Sequence, residues 1–231
     1  LNAAVMKITN FDALTDERTM KKKTMIVLMS AFLLLSAFSC GGGNKANSMS
    51  EQSEETAVNV HQFDADSAYL YVKNQVDFGP RVPNTKEHVA CGNYLAGQLE
   101  AFGAQVTNQY ADLIAYDGTL LKARNIIGSY KPESKKRIAL FAHWDTRPWA
   151  DNDPDEKNHK TPILGANDGA SGVGALLEIA RLVNQQQPEL GIDIILLDAE
   201  DYGAPQFYTG KHKEEFWCLG SQYWARNPHV Q

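Results

Sequence analysis

Cysteine is scarce in this 231-residue chain: Cys40, Cys91 and Cys218 are its whole complement. So few thiols cannot build a disulfide framework. None stands in the paired spacing of a zinc ribbon, which argues against a cysteine-based metal site. Basic charge is also short. The chain carries 22 Lys and Arg against 28 Asp and Glu, a net charge of −6, and nucleic-acid phosphates need a basic face to meet them. No DNA-reading motif and no internal repeat occurs. The longest apolar run, residues 24–38, falls short of the ~20 residues that an ordinary helical membrane span requires.

That run has a recognisable setting. Met20 precedes Lys21, Lys22 and Lys23, the apolar stretch follows, and Ser36-Ala37-Phe38-Ser39-Cys40 supplies small residues before a cysteine. This is the order of a secretory signal. The cysteine resembles that of a bacterial lipobox, with Ala37 where Leu is usual. Lipidation at Cys40 is the expectation, and a plain signal peptide with an incidental cysteine is the alternative. Residues 1–19, which open on Leu1, then read as an upstream artefact, residues 20–39 as a lipoprotein signal peptide, and residues 40–62 as a flexible tether rich in Gly, Asn, Ser and Glu. A lipid anchor in the bacterial cell envelope follows, periplasmic or associated with the outer membrane. Removing residues 1–39 takes away Lys7, Arg18, Lys21, Lys22 and Lys23 but only Asp12, Asp16 and Glu17, so the remainder is more acidic still.

Order is expected from Phe63. Asp66 can cap a helix that buries Tyr69, Val72 and Val76, and Phe78-Gly79-Pro80-Arg81-Val82-Pro83 forces a loop after it. A helix over 86–102 carries Val89, Leu95, Leu99 and Phe102 near one face, and Gly103 closes it. Strands are predicted over 105–110, 123–130, 137–143 and 192–198. Between the last two, a helix over 168–185 has Val173, Leu176, Leu177, Ala180 and Val183 as its buried stripe. Strand, crossover helix, strand is the pattern of a largely parallel α/β sheet. Strands 137–143 and 192–198 would then deliver their carboxyl ends to one edge, where ligands bind in open α/β sheets.

Three acids and one histidine fall at those ends: His143, Asp168, and the adjacent Glu200 and Asp201. Asp168 by itself reads as a helix cap, although Gly165 and Gly169 beside it allow a ligand to approach the backbone. Adjacent carboxylates rarely serve one metal equivalently, so Glu200 and Asp201 suit a base and a ligand. The constellation points to a metal-assisted hydrolase or transferase. Asp145, Arg147, Asp151 and Asp153 read as a charged surface loop, some of which could reach substrate. Aromatic clusters usually belong to the core, but Trp144 and Trp149 flank the proposed site and, with Trp217, are candidates to line an apolar pocket. Cys91 and Cys218 could pair or remain separate.

His143-Trp144-Asp145, Gly165-Ala166-Asn167-Asp168 and Asp198-Ala199-Glu200-Asp201 resemble the metal motifs of the zinc-dependent aminopeptidase superfamily. Val76-Asp77-Phe78-Gly79-Pro80-Arg81-Val82-Pro83, Ala142-His143-Trp144-Asp145-Thr146-Arg147-Pro148 and Trp217-Cys218-Leu219-Gly220-Ser221-Gln222-Tyr223-Trp224 narrow the likeness to its glutaminyl cyclase branch, the animal-type glutaminyl-peptide cyclotransferases found as envelope lipoproteins in Bacteroidetes. The likeness runs from Phe63 to the end of the chain. It implies a three-layer αβα fold around a mixed, largely parallel sheet. It also implies one Zn2+ held by Asp168 and Asp201, proton transfer by Glu200, and His143 as a second-metal or supporting residue. The partners would be peptides or proteins with an N-terminal Gln, acted on by a monomer.

The same likeness implies a further zinc-ligand histidine, further acids and a core strand beyond Gln231. Residues 63–231 then make an incomplete catalytic domain, inactive and marginally stable as it stands, for which His212 and His229 are poor replacement ligands. Two carboxylates alone hold zinc weakly, since its sites take three or four protein ligands. A zinc aminopeptidase and a non-catalytic binding lipoprotein are the alternative readings.

Overall fold

The computed structural model describes residues 61–230. The signal peptide, Cys40 and all but the last two tether residues lie outside the described residues. Its main elements in chain order are α1 Ala65–Asp77, α2 Lys86–Ala101, β1 Gln105–Ile114, β2 Leu120–Tyr130, β3 Arg137–His143, α3 Ser171–Gln185, β4 Gly191–Leu197 and α4 Leu219–Arg226. The sheet order is β1-β2-β4-β3. β1 pairs antiparallel with β2 and β2 antiparallel with β4, while β3 and β4 run parallel. The sheet is therefore mixed, as expected, and its parallel pairing is the one that α3 bridges.

β4 is buried on both faces, which is why its sequence is a continuous apolar run and not an alternating one. Ile194 and Leu196 meet Leu95, Leu99, Val173 and Leu177 from α2 and α3 on one side. Ile195 and Leu197 join Ile127 on the other, where Trp224 of α4 packs. Alternate residues of one strand thus build two apolar layers. Each fully buried Leu or Ile contributes ~1.5–3 kcal/mol. β3 lies at the sheet's edge, with Ile138 and Phe141 each 46% exposed.

Several expected details shift. Asp64, not Asp66, caps α1, accepting from the Asp66 and Ser67 N–H groups. Tyr69 is exposed, because the inward face of α1 runs through Tyr71, Val72 and Gln75. On α2 Val89 is exposed and His88 takes the inward place. β1 and β2 extend further toward their hairpin than propensity suggested, since ladder pairing continues out to Ile114↔Leu120. Both described cysteines are free thiols.

Candidate active site

The carboxyl ends of β3 and β4 lie side by side, with His143 opposite Leu197. The chain after β4 turns sharply through Ala199, whose φ of 49° is rare for a residue bearing a side chain. Two buried carboxylates hold this turn from below. Asp198 accepts from the Arg124 and Ala199 N–H groups at 2.6 and 2.7 Å, and its oxygens lie 2.9 Å from His88 Nε2. Asp145 accepts from the Glu200 and Asp201 N–H groups, each at 3.1 Å. Burial pushes the Asp198 carboxyl upward against the pull of His88. The turn thereby presents Glu200, half-buried, and Asp201, buried, at the sheet edge.

His143 stands among the acids. Its Nε2 is 2.9 Å from Asp168 Oδ1, and its Nδ1 is 3.4 Å from Asp145 Oδ1 and 4.0 Å from Glu200 Oε2. Burial opposes charge on this ring, but Asp145, Glu200 and Asp168 outweigh it and raise His143 to about 9. Asp168 is not a helix cap. α3 begins at Ser171 with no side-chain cap, and Asp168 sits before it in extended backbone, φ −90° and ψ 108°. Gly165 and Gly169, at φ 56° and 91°, make that excursion possible. A Cβ at Gly169 would come within 2.8 Å of the Asp145 carbonyl oxygen. Arg81, fully buried, ties the loop down by donating to the carbonyls of Leu164, Gly165 and Trp144.

Asp201 has the least satisfied side chain of the group. Its Oδ1 is 3.4 Å from Arg147 Nη1, while its Oδ2 is buried with no hydrogen-bond partner. Burial first, then the charges of Asp145 and Asp168, push this carboxyl up to about 7. An orphaned buried oxygen in a crowd of acids is the environment a hard cation would relieve. The donor chemistry therefore fits a divalent metal. The shell is incomplete: among the described residues no group of three or more His, Cys, Asp or Glu is placed to hold one.

Two sequence expectations do not hold. Asp145, Arg147 and Asp151 do not form a surface loop: each is at most 8% exposed. The Arg147 fork grips Asp151 through Nε and Nη2 at 2.7 and 2.6 Å and reaches the Asp201 carbonyl at 3.1 Å. Charged groups of this kind are buried because they are paired, which composition cannot reveal. Trp144 does not line a pocket. It is fully buried, stacked on His88 with ring centroids 4.3 Å apart, and donates from Nε1 to the Arg124 carbonyl. Trp149 and Trp217 are half-buried and lie against the Arg147 guanidinium, 5.7 and 4.8 Å from its carbon. His229 packs on Trp224 and His212 reaches the Tyr208 carbonyl. Nothing local in the sequence marks Arg81 or His88 as a support of the site. Only the acid run ending β4 marked Asp198 in advance.

Residues 125–231 match the model of Peptidase family M28. Among solved structures, the chain is 94% identical to a glutaminyl cyclase of Bacteroides thetaiotaomicron bound to N-acetylhistamine, covering 75% of this chain and 59% of that one with a TM-score of 0.74. It is also 94% identical to a leucine aminopeptidase precursor from the same species, covering 75% of this chain and 60% of that one, TM-score 0.74. The Tannerella forsythia glutaminyl cyclase is 58% identical over 74% of this chain and 58% of its own, TM-score 0.72. The chain thus spans about three-fifths of the length of these relatives.

Proposed function

We propose, for a chain that shares 94% identity with a bacterial glutaminyl cyclase over three-quarters of its length and matches the model of Peptidase family M28 over residues 125–231, that the whole protein is a zinc-dependent glutaminyl-peptide cyclotransferase. Its substrates would be peptides or proteins that begin with glutamine. The observation that carries this reading is the pairing of that likeness with a carboxylate edge in which one oxygen of Asp201 is buried and unpartnered. Asp168 and Asp201 would hold one zinc ion, and a third protein ligand is expected from the length that the relatives have and this chain does not span. Zinc, when bound, supplies Lewis acidity toward the substrate amide oxygen.

The chemistry is an internal acyl transfer. The α-nitrogen of the N-terminal Gln bonds to its own side-chain carbonyl carbon, the bond from that carbon to the amide nitrogen breaks, and ammonia leaves. One proton must travel from the attacking nitrogen to the departing one, and no water is consumed. Glu200 is assigned that proton, as base toward the first nitrogen and acid toward the second. Its carboxylate is 29% exposed and faces His143 across 4.0 Å, so it is open to substrate yet fixed in place. Asp145 supports it by holding the backbone N–H groups of both Glu200 and Asp201. Trp149 and Trp217 would shield the reacting carbonyl from water.

The protein is further proposed to act as a monomer, lipid-anchored through Cys40 in the bacterial envelope, from the residues around that cysteine. No described helix is long and apolar enough to cross a membrane. A second reading, a zinc aminopeptidase with water as nucleophile, draws on the likeness to the leucine aminopeptidase precursor. One experiment separates them. The whole protein, supplied with zinc, is given one peptide beginning with Gln and another beginning with Leu, and ammonia and free amino acids are measured. Ammonia without amino-acid release supports the cyclase, release of free leucine overturns it, and neither product leaves a binding role.

A further inference from the structure

Cys218 occupies a costly backbone position immediately before α4. Its φ and ψ of 55° and 37° lie in the left-handed region, which crowds the Cβ of any residue that has one. The surroundings show what holds it there. The Cys218 N–H donates to the Glu200 carbonyl, the Leu219 N–H to that of Ala199 and the Gly220 N–H to that of Asp198, each at 3.0 Å. Three successive amides are laid along the acid turn. The side chain is turned to the same neighbour: Cys218 Sγ is 3.2 Å from Glu200 Oε1. The thiol is the donor and the Glu200 oxygen accepts. Burial, reinforced by Glu200 itself, pushes the Cys218 thiol up to about 12, and the sulfur keeps its proton at ordinary pH.

We propose that Cys218 is the positioning residue of Glu200, gripping its backbone through N–H and its carboxylate through S–H. Oε1 is then held by the thiol, and Oε2, on the His143 side, is the oxygen that carries the proton. This rests on the assignment of Glu200 to proton transfer. A carboxylate that must reach two nitrogens in turn gains from a fixed orientation, and no other side chain forms a hydrogen bond of 3.5 Å or less to Glu200 among the described residues.

Two arms test it in the whole protein. In the first, Cys218→Ala and Cys218→Ser are compared on a Gln-initiated peptide. Cys218→Ala is expected to lower kcat roughly tenfold with KM nearly unchanged, the scale of one lost hydrogen bond in the transition state. Cys218→Ser, which restores a donor, is expected to recover most of that loss. Equal behaviour of the two variants, or a loss confined to KM, overturns the proposal. The second arm needs no turnover. In infrared difference spectra, Glu200→Ala should displace an S–H stretching band that Cys218→Ser lacks, and an undisplaced band overturns the contact. If the wild-type protein makes no ammonia, the cyclase reading fails, and the infrared arm still decides whether Cys218 donates to Glu200.

Discussion

Replacing Arg147 by methionine tests whether the buried fork supports the acid turn. Methionine keeps an unbranched apolar stem between Trp149 and Trp217, so the packing loss is small. The electrostatic loss is not. The Asp151 side chain is 1% exposed, and its charge is met by Arg147 at 2.7 and 2.6 Å. Burial opposes its ionisation, yet the guanidinium and the Gln206 N–H together hold its carboxyl below the ordinary carboxylate range. Without Arg147 only backbone N–H groups remain, that of Gln206 at 2.8 Å and its own. Breaking such a pair from one side leaves an uncompensated buried charge and costs ~3–5 kcal/mol. That is a large part of the ~5–15 kcal/mol that holds a typical domain together. The assay is urea denaturation of the whole protein followed by tryptophan fluorescence. Arg147→Met should lower the midpoint sharply, and the double change Arg147→Met with Asp151→Leu should recover part of it, because the stranded Asp151 charge is then gone while the Asp201 carbonyl still lacks its Arg147 donor. A loss below ~1 kcal/mol for the single variant would place the pair among weak surface bridges. A double variant no better than the single one would refute the reasoning equally.

Two other outcomes follow from the same geometry. Trp144→Ala should cost ~3–5 kcal/mol in denaturant titration, since the ring is fully buried against His88. A pocket wall would instead show as a raised KM with stability kept. The metal-free protein should lose stability as pH rises. Asp201, raised to about 7 chiefly by burial, and His143, raised by its acidic neighbours to about 9 although burial opposes it, both hold more protons folded than unfolded. Their contribution therefore fades from about pH 4 upward for Asp201 and from about pH 6.5 to 9 for His143. Thermal melts in chelator should show Tm falling over this range and zinc restoring it most at the alkaline end. A Tm that climbs with pH in chelator contradicts the acid-crowded site.

The secondary structure was legible where burial follows a period. The Val173, Leu177 and Ala180 stripe announced α3, and the apolar run before Asp198 announced β4. Errors came where one residue had two acceptable roles. Asp64 and Asp66 both suit a cap, and only the path of the chain into α1 selects between them. Tyr69 and Val89 are apolar enough for a core but lie on outward faces. Asp168 at a helix start is a cap by propensity. It is freed from that role because the glycines flanking it let the backbone leave helical geometry.

Residue types and their places along the chain set which chemistry is available: His143, Asp168, Glu200 and Asp201 fall at the ends of elements whose direction the βαβ order fixes. That information is local, carried by side-chain type and by the position of each acid relative to an apolar run. How those groups are supported depends on packing between distant segments. Arg81, His88, Arg147 and Cys218 come from four different segments, and nothing in the residues around each one says that it will meet a carbonyl, Asp198, Asp151 or Glu200. Such contacts depend on distances between segments far apart in the chain, and these exist only once the apolar layers above and below the sheet have closed.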